Sequence, residues 1–298
     1  MGCSKQVRRC YRYGLSRRAP TLERVMSMKP VWAITGAAGR IGTVLRAGLN
    51  DDVETMHCLD IRPIPALLGH EVGHLLDLAD LEGMVAALEG CEGVIHLGGY
   101  PTEADFHDLA DVNIVGTFHV LEAARRAGVR RVVYASSNRI TGYYPVGTKV
   151  SPSMPVRPDS LYGVSKAAGE ALCRLYVDKF GLSAVNVRIG TFVNEPGNTR
   201  HLSTWSSQGD TVRAFRAAMT APDVSYATFY AASNNDGLMW DMSAGDALGF
   251  HPADRADIFS DRFEGQARPL PTDFQSGGEM TSETHTLSMQ RAHDVQPR

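Results

Sequence analysis

From Val31 onward, short apolar runs alternate with longer amphipathic stretches. Val31-Trp32-Ala33-Ile34-Thr35 is almost wholly apolar and runs into a cluster of glycines, the pattern of a strand buried on both faces. The stretch that follows, Gly39 to Asn50, sets Ile41, Val44, Leu45 and Leu49 on one side of a helix. The same alternation predicts further strands at Glu54–Asp60, at a segment closing on Leu75-Leu76-Asp77, at Gly93–Leu97, at Arg131–Ala135 and at Ala184–Ile189. Between them it predicts helices over Asp80–Leu88, Leu109–Ala127 and Leu161–Phe180. Strands that alternate with helices form a parallel sheet covered on both faces, and right-handed crossovers make it doubly wound. The expected class is therefore α/β with a Rossmann-type sheet.

After Gly190 the periodicity weakens. A helix over Thr204–Met219 and a strand over Tyr226–Ala231 are expected, Trp240–Phe250 is mixed, and Gln266–Arg298 is polar with little period. This irregular part is expected to build a small substrate-binding region rather than an independent domain. The expected division is an extension over 1–28, a cofactor-binding domain over 29–190, a substrate region over 191–265 and a polar tail over 266–298.

Composition narrows the function. The 298 residues carry a formal net charge of -3 and are 43% hydrophobic, which suits a globular enzyme and gives no basic excess for nucleic acid. No apolar run is long enough to span a membrane. The 5 cysteines form no CxxC pair, which argues for a reducing compartment and against a disulfide framework or a metal site. Cys58, Cys91 and Cys173 lie in apolar runs as small core residues. The extension holds Arg8, Arg9, Arg12, Arg17, Arg18 and Arg24 against the single acid Glu23, as mitochondrial transit segments do. It equally fits an over-extended start, with Met26 and Met28 just before the first strand, so a cytoplasmic location is expected with a mitochondrial one as the alternative. Gln6 stands where a myristoylation signal has Ser or Thr.

The candidate chemistry begins at Thr35-Gly36-Ala37-Ala38-Gly39-Arg40-Ile41-Gly42. Glycines here permit a tight strand-to-helix turn, close approach of the backbone to a pyrophosphate, and close helix–strand packing. The helix N-terminus then offers free N–H groups to phosphate. Asp60, at the end of the second strand and followed by Ile61 and Arg62, is placed to bond both ribose hydroxyls and repel a 2′-phosphate, favouring NAD over NADP. Arg40 and Arg62 nearby moderate that preference. Asp77-Leu78 and Gly98-Gly99 end the third and fourth strands, where a dinucleotide crosses the sheet.

Tyr162 and Lys166 are four residues apart on a predicted helix and share a face. A nearby ammonium is expected to lower the phenol pKa and make Tyr162 a usable base. Ser137, at the end of the fifth strand, offers a hydroxyl to the same substrate oxygen.

These motifs together resemble the extended short-chain dehydrogenase/reductase superfamily, the NAD-dependent epimerases and dehydratases, and within it the uronate dehydrogenases. The resemblance also rests on His96-Leu97-Gly98-Gly99, Gly142-Tyr143-Tyr144-Pro145, Arg157 to Lys166, Leu202-Ser203-Thr204-Trp205 and Ser233-Asn234-Asn235-Asp236. It implies Ser137, Tyr162 and Lys166 as the catalytic group and Asn113 as a helix position that supports the site. It implies NAD as cofactor and a hexuronic acid oxidised at C1 to an aldaric acid lactone. It implies Ser137, Asn138, Arg139, Tyr162, Thr191 and Arg200 around the substrate, with Arg200 clamping the carboxylate. Pro101, Arg139 and Thr191 depart from that family's usual Ser, His and Ser; Arg139 is expected to add a charge beside the substrate. Alternatives are a nucleotide-sugar epimerase or dehydratase, another sugar dehydrogenase, and a non-catalytic NAD sensor. The expected partner is a small sugar acid, with no nucleic acid or membrane. Members of the superfamily commonly assemble, so a homo-oligomer is an open alternative.

Overall fold

The structure, a computed structural model, describes residues 29–291; the extension over 1–28 with Cys3 and Cys10, and residues 292–298, lie outside the described residues. Strand β1 (Val31–Thr35) leads into helix α1 (Arg40–Gly48), β2 (Thr55–Asp60), β3 (Glu71–Leu75), α2 (Leu81–Leu88) and β4 (Gly93–His96). Then come α3 (Phe106–Leu109), α4 (Gly116–Ala127), β5 (Arg131–Ser137), α5 (Leu161–Phe180) and β6 (Ser183–Ile189). The rest comprises β7 (Thr191–Phe192), α6 (His201–Thr204), β8 (Trp205–Ser206), α7 (Gln208–Thr220), β9 (Tyr226–Ala231), α8 (Ser243–Asp246) and α9 (Glu283–Leu287). The principal sheet has seven parallel strands in the order β3-β2-β1-β4-β5-β6-β9. Its direction of winding reverses between β1 and β4, and the carboxyl ends there open the crevice in which such sheets bind ligands.

Two apolar layers hold the sheet. Ile34, Leu45, Leu49, Met56, Val185, Phe215 and Phe229 fill one face, and Leu59, Met84, Leu88, Val94, Leu121, Val132 and Cys173 the other. Cys58 and Cys91 are buried in the same layers. The sheet therefore continues beyond Gly190, contrary to the expected division at that residue. Helix α7 buries Val212, Phe215 and Met219 against the first layer, and β9 pairs with β6 from Ala184↔Tyr226 to Ile189↔Ala231. Helix α7 also begins at Gln208 rather than at Thr204, because Ser207 caps it by accepting from the Asp210 N–H at 2.8 Å.

The helix expected over Leu109–Ala127 starts earlier, at Phe106, and has a π-helical turn over Ala110–Val115. Such turns insert a residue and re-aim their neighbours. Here the turn carries Asn113, which is 1% exposed and bonds Tyr100 and Ser165.

A buried ion pair ties α5 to the far strands. Arg188 on β6 donates to Glu170 on α5 through Nε at 2.9 Å and Nη2 at 2.8 Å, and its Nη1 donates to the Tyr230 hydroxyl on β9 at 3.1 Å. The Ser136 hydroxyl donates to the same carboxylate at 2.6 Å. Removing one partner of such a pair strands a charge in the core. Arg188→Ala is therefore expected to lower the free energy of unfolding by about 3–5 kcal/mol in urea titrations; a loss under 1 kcal/mol, the range of an exposed pair, would show that water reaches Glu170.

The polar segment after residue 266 is packed rather than free. Gln275 and Ser276 are buried, Phe274 bridges to Pro145, and Arg291 pairs with Asp105 and Asp108 beside α3. No apolar period marks it, because it is held by individual hydrogen bonds rather than by a greasy face.

Candidate active site

The turn after β1 is built for close approach. Gly36 has φ +69°, and a Cβ on it would lie 2.9 Å from the Gly98 amide nitrogen. A Cβ on Gly42 would meet the Gly36 carbonyl at 2.3 Å. Gly39 caps α1 with no side chain, leaving the first helical N–H groups clear. At the end of β4, Gly99 has φ +147°, and a Cβ there would strike the Asn113 side-chain oxygen. The cradle thus excludes side chains where a pyrophosphate and a nicotinamide ribose need room, and the residues fit a dinucleotide.

Asp60 does two things at once. Its oxygens accept from the Ala38 N–H at 2.9 Å and the Arg62 N–H at 3.0 Å, so it braces the glycine turn and caps its own. It also borders the cleft and retains free lone pairs for ribose hydroxyls. The Arg62 side chain, 63% exposed, leans on it at 3.4 Å. Arg40 reaches across to the Phe192 carbonyl at 3.2 Å, tying the glycine turn to β7. Ile61 stands exposed at the rim, the Asp77 carboxylate accepts from the Ala79 N–H, and Leu78 packs under Gly98.

One cleft of about 800 Å³ joins these positions to the rest, at the upper end of the usual range for ligand sites. Its wall includes Gly36, Gly39, Arg40, Ile41, Gly42, Asp60, Ile61, Arg62, Asp77, Leu78, Gly98 and Gly99 at one end. At the other it includes Ser137, Asn138, Arg139, Tyr162, Lys166, Thr191 and Arg200. The structure therefore places all the sequence-predicted catalytic, cofactor and substrate positions on a single cavity, while Asn113 lies behind it, bonded to Tyr100 and Ser165.

Helix α5 presents Tyr162 and Lys166. Its start is fixed by Ser160, whose hydroxyl accepts from the Gly163 N–H at 3.0 Å. Buried Glu103 accepts from the Leu161 and Tyr162 N–H groups at 3.2 and 2.8 Å, placing a negative charge on the positive end of the helix. Asn113 bonds the Tyr100 N–H and carbonyl and donates to the Ser165 hydroxyl at 3.0 Å, so it locks the β4 loop to α5. Lys166 donates to the Ala135 carbonyl at 3.0 Å, and its Nζ lies 5.7 Å from the centre of the Tyr162 ring.

The electrostatics differ from the expected ones. Burial pushes the Tyr162 phenol up to about 12, although the Ser137 hydroxyl and the Arg139 charge both pull it down. Burial also brings Lys166 down to about 8. The expected lowering of the phenol by the ammonium is absent here, because loss of water around the phenolate outweighs a cation turned toward a backbone carbonyl. Arg139 is likewise not a free charge: it pairs with Asp159 at 3.3 Å, and that carboxylate is wholly buried and also accepts from the Ser160 hydroxyl at 2.6 Å.

Arg200 is different. Its Nε donates to the Gln275 carbonyl, and among the described residues no carboxylate lies within 4 Å of it. Burial lowers it to about 10, with the Arg139 charge acting in the same direction. The neighbouring His201 is brought down to about 4 by burial, then by Arg200 and Arg139, so near neutrality it adds no charge. Thr191 shares a hydrogen bond with Thr204 at 2.8 Å, and Asn138 is buried at the cleft wall.

Sequence reasoning missed Glu103, Asp159 and Gln275. Asp159-Ser160 before an apolar helix is a capping signal that was available. Glu103 and Gln275 lie far from their partners in the chain and leave no local trace.

Residues 32–208 match the model of the NAD dependent epimerase/dehydratase family. The chain belongs to that family. Over 80% of its length it is 39% identical to a curated uronate dehydrogenase of Pseudomonas syringae pv. tomato, covering 87% of that protein. It superimposes with a TM-score of 0.82 on a mutated uronate dehydrogenase, 37% identical over 88% of this chain and 96% of that one. A mutant uronate dehydrogenase from Agrobacterium tumefaciens complexed with NAD gives 0.79, at 40% identity over 85% of this chain and 97% of that one. The family's doubly wound parallel sheet is the one described above, and its cofactor accords with the glycine cradle. Among the described residues no helix is long and apolar enough to cross a membrane.

Membership makes the role of Asp60 testable. The protein is expected to bind NAD more tightly than NADP, since the Asp60 carboxylate would face a 2′-phosphate. Asp60→Ala should narrow that preference in titrations followed by protein fluorescence. Equal affinity of the unaltered protein for the two cofactors would remove Asp60 from this role.

Proposed function

We propose that the protein oxidises C1 of a hexuronic acid such as galacturonate or glucuronate to an aldaric acid lactone, with NAD. The observation that carries this reading is Arg200, a guanidinium on the wall of the same cleft as Ser137, Tyr162 and Lys166, which makes no salt bridge among the described residues because the nearby Asp159 is paired with Arg139. Arg200 is half-buried, and a substrate carboxylate can pair with it through charge-assisted hydrogen bonds. The relatives named above are uronate dehydrogenases, which agrees.

NAD, when bound, takes the hydride that C1 gives up. The chain's residues govern the proton and the geometry. Ser137 orients the C1 oxygen by hydrogen bonding, and Tyr162 takes the hydroxyl proton from it. Lys166 holds the cofactor ribose and keeps a positive charge near the phenol. Burial holds the Tyr162 phenol at about 12, so Tyr162 keeps its proton near neutrality until it accepts or passes one through the hydrogen bond to the C1 oxygen. Arg200 anchors the far end of the sugar and so aims C1.

An epimerase or dehydratase recovers its cofactor in each cycle, whereas a dehydrogenase does not. Galacturonate and NAD should therefore give NADH and lactone in equal amounts, by absorbance and by NMR of the product. A changed sugar with no accumulated NADH would move the protein to the epimerase reading.

A further inference from the structure

The segment that meets Arg200 carries a buried amide side chain, Gln275. Gln275 is 2% exposed, and its amide is satisfied on both sides. Its Oε1 accepts from the Trp240 indole N–H at 3.1 Å, and its Nε2 donates to the Pro145 and Thr148 carbonyls at 3.2 and 2.8 Å. Its backbone N–H donates to the Tyr144 carbonyl at 2.9 Å, and its own carbonyl accepts from Arg200 Nε. The next residue, Ser276, donates through its hydroxyl to the Gly142 carbonyl at 3.0 Å. The segment is thus stitched to the 142–148 loop, and the carbonyl it presents is fixed in register.

A leucine would fill the same volume but would not select which carbonyl faces the guanidinium. A long arginine side chain loses rotamer freedom when held, and recognition of a planar carboxylate tolerates only small misplacement. Occupying Nε leaves four Nη hydrogens, an end-on fork of the geometry that a carboxylate takes in two parallel hydrogen bonds. We infer that Gln275 is a positioning residue for substrate selectivity: it fixes the carbonyl that aims Arg200, and so acts on the carboxylate without touching it. This rests on reading Arg200 as the carboxylate-binding residue.

The test is a double-mutant cycle on the full-length protein, with galacturonate and galactose as the two substrates. Gln275→Leu is expected to raise KM for galacturonate roughly tenfold, the effect of one charge-assisted hydrogen bond misaligned. It should leave KM for galactose within about twofold, because galactose has no carboxylate for Arg200 to hold, and the affinity for NADH within about twofold, because the glycine cradle lies at the other end of the cleft. In the Arg200→Ala background it should add nothing. Gln275→Glu keeps the shape and the acceptor for Trp240 but sets oxygen against two carbonyls. It serves if the leucine variant does not fold, and should change KM in the same selective way. Equal KM increases for the two sugars, or an undiminished effect in the Arg200→Ala background, would reduce Gln275 to a structural residue while leaving the role of Arg200 intact. If Arg200→Ala alone leaves the preference for galacturonate unchanged, the reading of Arg200 falls and the role of Gln275 falls with it.

Discussion

Replacing Tyr162 by Phe is expected to lower kcat by about 10²–10⁴-fold while leaving NADH affinity within a small factor of its original value. The substitution keeps the ring and its packing on α5, and removes only the hydroxyl proposed to take the C1 proton. Lys166 keeps its hydrogen bond to the Ala135 carbonyl, and Ser137 remains at the end of β5. The cofactor end of the cleft, from Gly36 to Asp77, has no contact with that hydroxyl among the described residues. Steady-state NADH formation and fluorescence titration separate the two quantities. A Phe variant with half the original turnover would show that another group takes the proton.

Replacing Arg200 by Ala should cost kcat/KM on galacturonate about 10–150-fold, the equivalent of about 1.5–3 kcal/mol for hydrogen bonds to a charged group. The loss should fall selectively. A neutral hexose has no carboxylate, so the substitution removes no charge-assisted hydrogen bond from it. Arg139 is not expected to compensate, because Asp159 already neutralises it. Competition kinetics between galacturonate and galactose measure the ratio directly. A parallel decline on both sugars would mean that Arg200 supports the cleft generally.

Much of this was readable in the chain. Strands β1, β4, β5 and β6 announce themselves as apolar runs of a length that only a buried parallel strand uses, and the glycines after β1 and β4 mark the crevice. Tyr162 and Lys166 stand one helical turn apart, so their shared face follows from helix geometry alone. The π-helical turn around Asn113 was not readable, because the apolar period continues through it while the backbone gains a residue. The continuation of the sheet to β9 was obscured by the irregular stretch between β6 and α7, although Tyr226–Ala231 itself reads as a strand. The pKa of Tyr162 was misjudged in direction because the charge of Lys166 is visible in the sequence and the loss of water around the phenol is not. Gln275 lay hidden for a similar reason: a buried amide satisfied by backbone carbonyls has no sequence pattern, only a location.

The central claim is that a carboxylate on the substrate is what the cleft selects. It is tested most directly by the initial rate of NADH formation by the unaltered protein, measured across glucuronate, galacturonate and their neutral counterparts, glucose and galactose. kcat/KM values for the uronates should lie at least about tenfold above those for the neutral sugars, the lower bound set by one charge-assisted hydrogen bond. Equal values, or turnover confined to neutral or nucleotide-linked sugars, would contradict it.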